Sequence, residues 1–214
     1  MRLGILGGSF DPIHLGHLLV ADDVRRSLKL DRVLFIPSCR PPHKRGPLTP
    51  YRLRAAMVRL AIAADPGFEL CRLEENRPGP SYTVDTLHEL RESYAGAALY
   101  FILGSDQYAD MRHWHQPVEL TRLCRLVVMK RPGTARPRLY PAHSARRVMF
   151  RDVIQVAIAS AAVRARLAKG ESVRYMLPTP VLQYIRRHRL YGRAAGGSGQ
   201  VPRVKQTGTS PKEN

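Results

Sequence analysis

Short apolar runs recur along the first two thirds of the chain, at 3–6, 33–36, 68–70, 99–103 and 126–129. Each is rich in Leu, Ile, Val or Phe and has the length of a buried strand. Longer, helix-compatible stretches fill the gaps at 17–28, 51–64, 83–94 and 117–123, the second opening on the start signal Thr49-Pro50. Regular alternation of strand and helix predicts an α/β fold, an open parallel sheet with helices on both faces. Prolines mixed with basic residues make 130–144 a loop or crossing. Beyond it the pattern gives a possible further strand at 148–150 and a small C-terminal helical segment, 161–168 and 180–189. No internal repeat interrupts this order. Residues 192–214 are rich in Gly, Ser and Pro and poor in apolar side chains, so they are expected to be a disordered basic tail after one domain spanning 1–191.

Composition narrows the class. At 214 residues, with 44% hydrophobic and 24% charged positions, the chain can bury a core without staples. No apolar run approaches the ~20 residues of a membrane span. The N-terminus lacks the hydrophobic stretch of a secretory signal, and a cytoplasmic location is expected. Cys39, Cys71 and Cys124 match neither a zinc pattern nor a disulfide framework, and read as reduced, buried thiols.

Charge is distributed unevenly. Residues 1–120 carry 15 basic and 14 acidic side chains, whereas 121–191 carry 16 basic and only 2 acidic. Such a block suits an anionic partner, because a basic cleft concentrates anions, although a merely solvated basic surface would read the same way.

The candidate chemistry sits at Gly7-Gly8-Ser9-Phe10-Asp11-Pro12-Ile13-His14-Leu15-Gly16-His17, which follows the first strand and runs into the first helix. Paired glycines let backbone N–H groups approach a phosphate, and Ser9 adds a hydroxyl donor. His14 and His17, three residues apart, fall on one face of the first helical turn near the positive end of its dipole. Either histidine alone could be a cap or a core residue; the pair after a glycine loop points to a polyphosphate. The stretch lacks the Gly-Lys-Ser/Thr end of a P-loop and is not a GxGxxG fingerprint. No third ligand follows at zinc spacing, so no protein-held metal is assigned.

The run His14-Leu15-Gly16-His17 resembles the (H/T)xGH signature of the nucleotidyltransferase superfamily. Within it, the chain is most similar to the bacterial nicotinate-nucleotide adenylyltransferases. The narrower resemblance rests on Pro41-Pro42-His43-Lys44, Ser81-Tyr82-Thr83-Val84-Asp85-Thr86-Leu87, Leu103-Gly104-Ser105-Asp106, Trp114, Lys130-Arg131-Pro132-Gly133 and the closing Tyr184-Ile185 to Leu190-Tyr191 segment. It implies a Rossmann-like fold and transfer of the adenylyl group of ATP to nicotinate mononucleotide, giving deamido-NAD and pyrophosphate. It also implies roles. His14 and His17 are the catalytic pair; Gly8, Ser9, Phe10, Gly104, Asp106, Ser160 and Arg164 bind ATP; Lys44, Thr83 and Trp114 bind nicotinate mononucleotide. Mg²⁺ would arrive with ATP, because it dehydrates reluctantly and no acidic cage flanks the signature. The partners implied are these small molecules, with no membrane and no specific nucleic acid; the sequence is compatible with a homo-oligomer.

Read from the residues alone, several of these positions keep a second meaning. Ser81-Tyr82-Thr83 could cap a helix, Trp114 could be a core aromatic, and Lys44 could be a solvated loop lysine. One segment departs from the family. Where members usually carry ISSTxIR, this chain has Ile158-Ala159-Ser160-Ala161-Ala162-Val163-Arg164, keeping Ser160 and Arg164 but losing two hydroxyls at Ala159 and Ala161. Rival acceptors are nicotinamide mononucleotide and phosphopantetheine. A more distant alternative is a nucleic-acid-binding protein on a nucleotide fold, though 121–191 lacks aromatics interleaved with its basic residues.

Overall fold

The computed structural model describes residues 1–42, 46–130, 138–154 and 156–192. Six parallel strands run β1 (Arg2–Gly8), β2 (Arg32–Pro37), β3 (Phe68–Leu70), β4 (Ala98–Gly104), β5 (Arg125–Lys130) and β6 (Val148–Asp152). They lie side by side in the order β3-β2-β1-β4-β5-β6. Strand order therefore reverses between β1 and β4, and their carboxyl ends open the crevice where ligands bind in such sheets.

The apolar runs are nearly continuous because both sheet faces are covered. Successive side chains alternate between two cores. Leu6, Val33, Phe35, Ile102 and Val127 face one side, where they meet α1 (Leu15–Ser27), α2 (Tyr51–Ile62), α6 (Ser160–Ala168) and α7 (Thr179–Arg187). Leu3, Ile5, Leu34, Phe101 and Val128 face the other, against α3 (Thr83–Ser93), α4 (Ser105–Ala109) and α5 (Pro117–Leu123). In α2 the buried stripe Ala55, Met57, Val58 and Ile62 also contains Arg54, a charge where apolar spacing calls for a hydrophobe.

Differences from the sequence expectation are local. Helix α1 begins at Leu15, so His14 is its N-cap rather than a residue of its first turn. The five-residue α4 and a 3₁₀ turn at Met111–His113 were not foreseen, being too short to show a helical period. Cys124 is buried, but Cys39 and Cys71 are only partly so. Both acids of 121–191 are paired, Asp152 with Lys130 at 3.2 Å and Glu171 with Arg166 at 3.5 Å. Among the described residues no helix is long and apolar enough to cross a membrane. Of the tail expected to be disordered, 192–214, all but Gly192 lies outside the described residues, as do His43, Lys44 and 131–137.

Candidate active site

Strand β1 delivers the chain into a loop whose backbone is unusual from its first residues. Phe10 takes a φ of 45°, a left-handed conformation that bulky residues rarely adopt, and packs its ring edge-on against His17 at 5.0 Å. Phe10, Asp11, Ile13 and His14 are all buried. At the start of α1 the His14 N–H donates to His17 Nδ1 at 3.2 Å, a cap from the third helical residue back to the N-cap. His17 Nδ1 is thereby the acceptor, which leaves the ring proton on Nε2.

The two imidazoles stack, with centroids 3.7 Å apart and planes at 26°. Gly16 makes room for this, since a Cβ there would sit 3.1 Å from His14 Nδ1 and 3.2 Å from its Cε1. Burial pushes the His14 ring down to about 4. The His17 ring is held well below its ordinary value by burial and then by the charge His14 would carry. Both rings are therefore neutral at physiological pH, and the helix N-terminus opposes a further positive charge beside it. His14 Nδ1 is buried with no hydrogen-bond partner. An orphaned polar atom of this kind marks a place for a ligand group.

These shifts carry a stability consequence. Unfolded, His14 titrates near 6.5; folded, it titrates near 4. Between those values the unfolded chain holds the extra proton, so stability declines as pH falls through that window. The contribution of His14 amounts to about 3 kcal/mol by pH 4. Urea melts of wild type and His14→Asn between pH 7.5 and 4.5 should show the wild type losing stability more steeply on acidification; parallel curves would contradict the burial of a neutral His14.

A cleft of about 530 Å³ opens beside the pair, lined by Leu6, His14, Gly16, His17, Val20, Met129 and residues 156–159. Its walls are mainly apolar and its one basic end is the histidine pair, a combination that fits a flat base with phosphates attached. Ala159 is the N-cap of α6, with φ −121° and ψ 140° and no side-chain cap. Ser160 Oγ donates to the Pro12 carbonyl at 2.9 Å, and Arg164 Nη1 donates to the Asp11 carbonyl at 2.6 Å. Both residues thus grip the signature loop.

Across the sheet, Gly104 ends β4 and caps α4, its N–H donating to Gln107 Oε1 at 3.0 Å, and the Asp106 carboxylate is exposed. Trp114 follows the 3₁₀ turn, is half-buried, and meets Phe101 of β4 edge-on at 6.2 Å. Thr83 is the first residue of α3. Their sequence neighbours meet, Tyr82 stacking on His115 with centroids 4.3 Å apart. Ser81 does not cap α3: its Oγ accepts from the Arg40 N–H at 3.0 Å and ties the loop after β2 to this side.

Among the described residues no group of three or more His, Cys, Asp or Glu side chains is placed to hold a metal ion. Asp11, Arg54 and Tyr191 were not singled out as site residues by sequence reasoning, yet all three join the loop. Arg54 is 1% exposed and its Nη1 donates to the Ser9 carbonyl at 2.6 Å. The available signal was a lone arginine on the apolar face of α2.

A helix start carrying paired imidazoles at the switch point of a parallel sheet suits a nucleotidyltransferase. In agreement, the cytidylyltransferase-like family model matches residues 5–166. A Thermus thermophilus protein named "Probable nicotinate-nucleotide adenylyltransferase" is 48% identical over 192 residues, covering 89% of this chain and 100% of that one. A protein of the same name from Oceanobacillus iheyensis is 43% identical, with 89% and 97% covered. The chain belongs to the nicotinate-nucleotide adenylyltransferase family. A solved structure described as Plasmodium falciparum nicotinic acid mononucleotide adenylyltransferase complexed with NaAD shares the fold, with a TM-score of 0.74 at 21% identity over 89% of this chain and 97% of that one.

Proposed function

We propose that this chain transfers the adenylyl group of ATP to nicotinate mononucleotide, forming deamido-NAD and pyrophosphate, in the cytoplasm. The observation that carries the reading is the crevice itself: a stacked, neutral histidine pair on one side of the β1/β4 switch point, and Thr83 with Trp114 on the other. ATP enters as its Mg²⁺ complex, with the ion on phosphate oxygens and water. Its base fills the apolar cleft and its phosphates meet the start of α1, where His17 Nε2–H can donate. The ribose lies toward Gly104 and Asp106. Nicotinate stacks on Trp114, with Thr83 and Lys44 as partners for its carboxylate and phosphate.

The acceptor phosphate oxygen attacks the α-phosphorus in line; a new P–O bond forms, the α–β bridging bond breaks, and its electron pair leaves on pyrophosphate. No enzyme nucleophile takes part. Neutral imidazole donors fit this chemistry, because their hydrogen bonds strengthen as charge builds on the transferring and leaving groups. Exposed arginines of 121–191 raise the local concentration of both polyanions.

Two measurements follow. Rates of pyrophosphate release with nicotinate mononucleotide, nicotinamide mononucleotide and phosphopantetheine offered separately should favour the first strongly; preference for another acceptor would keep the chemistry and overturn the substrate. Ala159→Ser should stabilise the protein by about 1 kcal/mol, since serine is a far better N-cap than alanine. The same hydroxyl faces the cleft and should lower KM for ATP roughly two- to tenfold, the range of one hydrogen bond. A melting curve and a KM titration check both halves, and an unchanged KM would remove Ala159 from the ATP site.

A further inference from the structure

Side chains distant in sequence hold the signature loop from beneath. The carbonyls of Ser9, Asp11 and Pro12 are taken by Arg54, Arg164 and Ser160 at 2.6, 2.6 and 2.9 Å. Asp11 is only 3% exposed. One of its carboxylate oxygens accepts from the Tyr191 hydroxyl at 2.5 Å and the other from the Thr49 N–H at 3.3 Å. Arg54 Nε donates to the Thr49 carbonyl at 2.8 Å, so the start of α2, the loop and the chain beyond α7 form one buried polar unit.

This unit controls which way the loop amides point. In a trans peptide the carbonyl and the following N–H are directed oppositely. Holding the Ser9 and Pro12 carbonyls in the network turns the N–H groups of Phe10 and Ile13 away from it. The left-handed backbone at Phe10 is a conformation that the surroundings must impose. Beyond α7 the chain is itself bent by left-handed residues, Arg189 at φ 51° and Tyr191 at φ 59°, and this bend carries the Tyr191 ring back under the loop. Packing alone does not need the hydroxyl, because α7 is already anchored by Val181, Leu182 and Ile185.

We propose that Tyr191 is a positioning residue for adenylyl transfer: through Asp11 its hydroxyl locks the loop conformation that leads into α1 and sets the His14 ring at the edge of the cleft. The proposal rests on the adenylyl-transfer reading above. Small misplacements of positioned groups are expensive in rate, a shift of ~1 Å costing up to about 100-fold. Tyr191→Phe keeps the ring and removes only the hydroxyl.

The test measures deamido-NAD formation from MgATP and nicotinate mononucleotide by wild type, Tyr191→Phe, Asp11→Asn and the double variant, with circular dichroism confirming each fold. Expected for Tyr191→Phe is a kcat about tenfold lower or more, with both KM values within about threefold of wild type, the split of a group that acts on transition-state geometry. In the Asp11→Asn background, loss of the hydroxyl should change kcat by less than about twofold, since the two side chains act as one unit. A Tyr191→Phe kcat within twofold of wild type, a change confined to KM, or independent and multiplying effects of the two substitutions would overturn the positioning role. An inactive wild type would instead overturn the adenylyl-transfer reading, so the two failures are distinguishable.

Discussion

Replacing His17 with alanine is expected to lower kcat by about 10²- to 10³-fold, the loss typical of one preorganised donor at a developing charge. The size follows from the ring's setting. Its Nδ1 is committed to the His14 N–H, its proton is on Nε2, and burial keeps it neutral. A neutral N–H donor at the start of α1 needs no proton loss before it can act on a bound phosphate. Because the bond strengthens mainly as pyrophosphate departs, KM for ATP should change far less than kcat. Alanine also removes the helix cap, which costs about 1 kcal/mol and lowers the melting temperature by a few degrees. Steady-state kinetics beside a thermal melt separate the two effects; near-normal turnover would exclude His17 from catalysis.

The largest expected effect on stability belongs to Arg54. Arg54→Met approximates its volume but strands the Ser9 and Thr49 carbonyls and removes a guanidinium whose charge interacts favourably with the buried Asp11 carboxylate. Leaving buried acceptors and a buried charge uncompensated costs about 3 to 5 kcal/mol. For a chain of this size the melting temperature should fall by roughly 10 °C. By contrast, substitution of the exposed Arg52, only 4.0 Å from Glu75 at the closest, should have an effect below about 1 kcal/mol. Equal melts for the two variants would show that the buried network contributes nothing to stability.

How much of this was legible in the chain depends on range. Strands such as 99–103 announce themselves because both faces of the sheet are buried, and helices α1, α2 and α3 because they span several turns. The glycine loop and the histidine spacing direct attention to the end of β1 without any coordinates. The same spacing did not reveal that His14 caps α1, that the two rings stack, or that Gly16 is the space into which His14 fits. Those facts depend on rotamers. Arg54 and Tyr191 act on the loop across 45 and 180 residues of sequence, and no local pattern records such a partnership. Ser81 shows the same limit, since a residue suited to capping α3 instead ties down the loop after β2. Lys44 lies outside the described residues, so its part in acceptor binding rests on resemblance.

The most direct measurement is product identification from ATP labelled at the α-phosphate, Mg²⁺ and nicotinate mononucleotide with the wild-type protein. Direct attack at the histidine-lined crevice should give labelled deamido-NAD, an equal amount of pyrophosphate, and no label on the protein when the acceptor is omitted. Release of the label as AMP, a labelled protein, or no dinucleotide at all would contradict adenylyl transfer by this route.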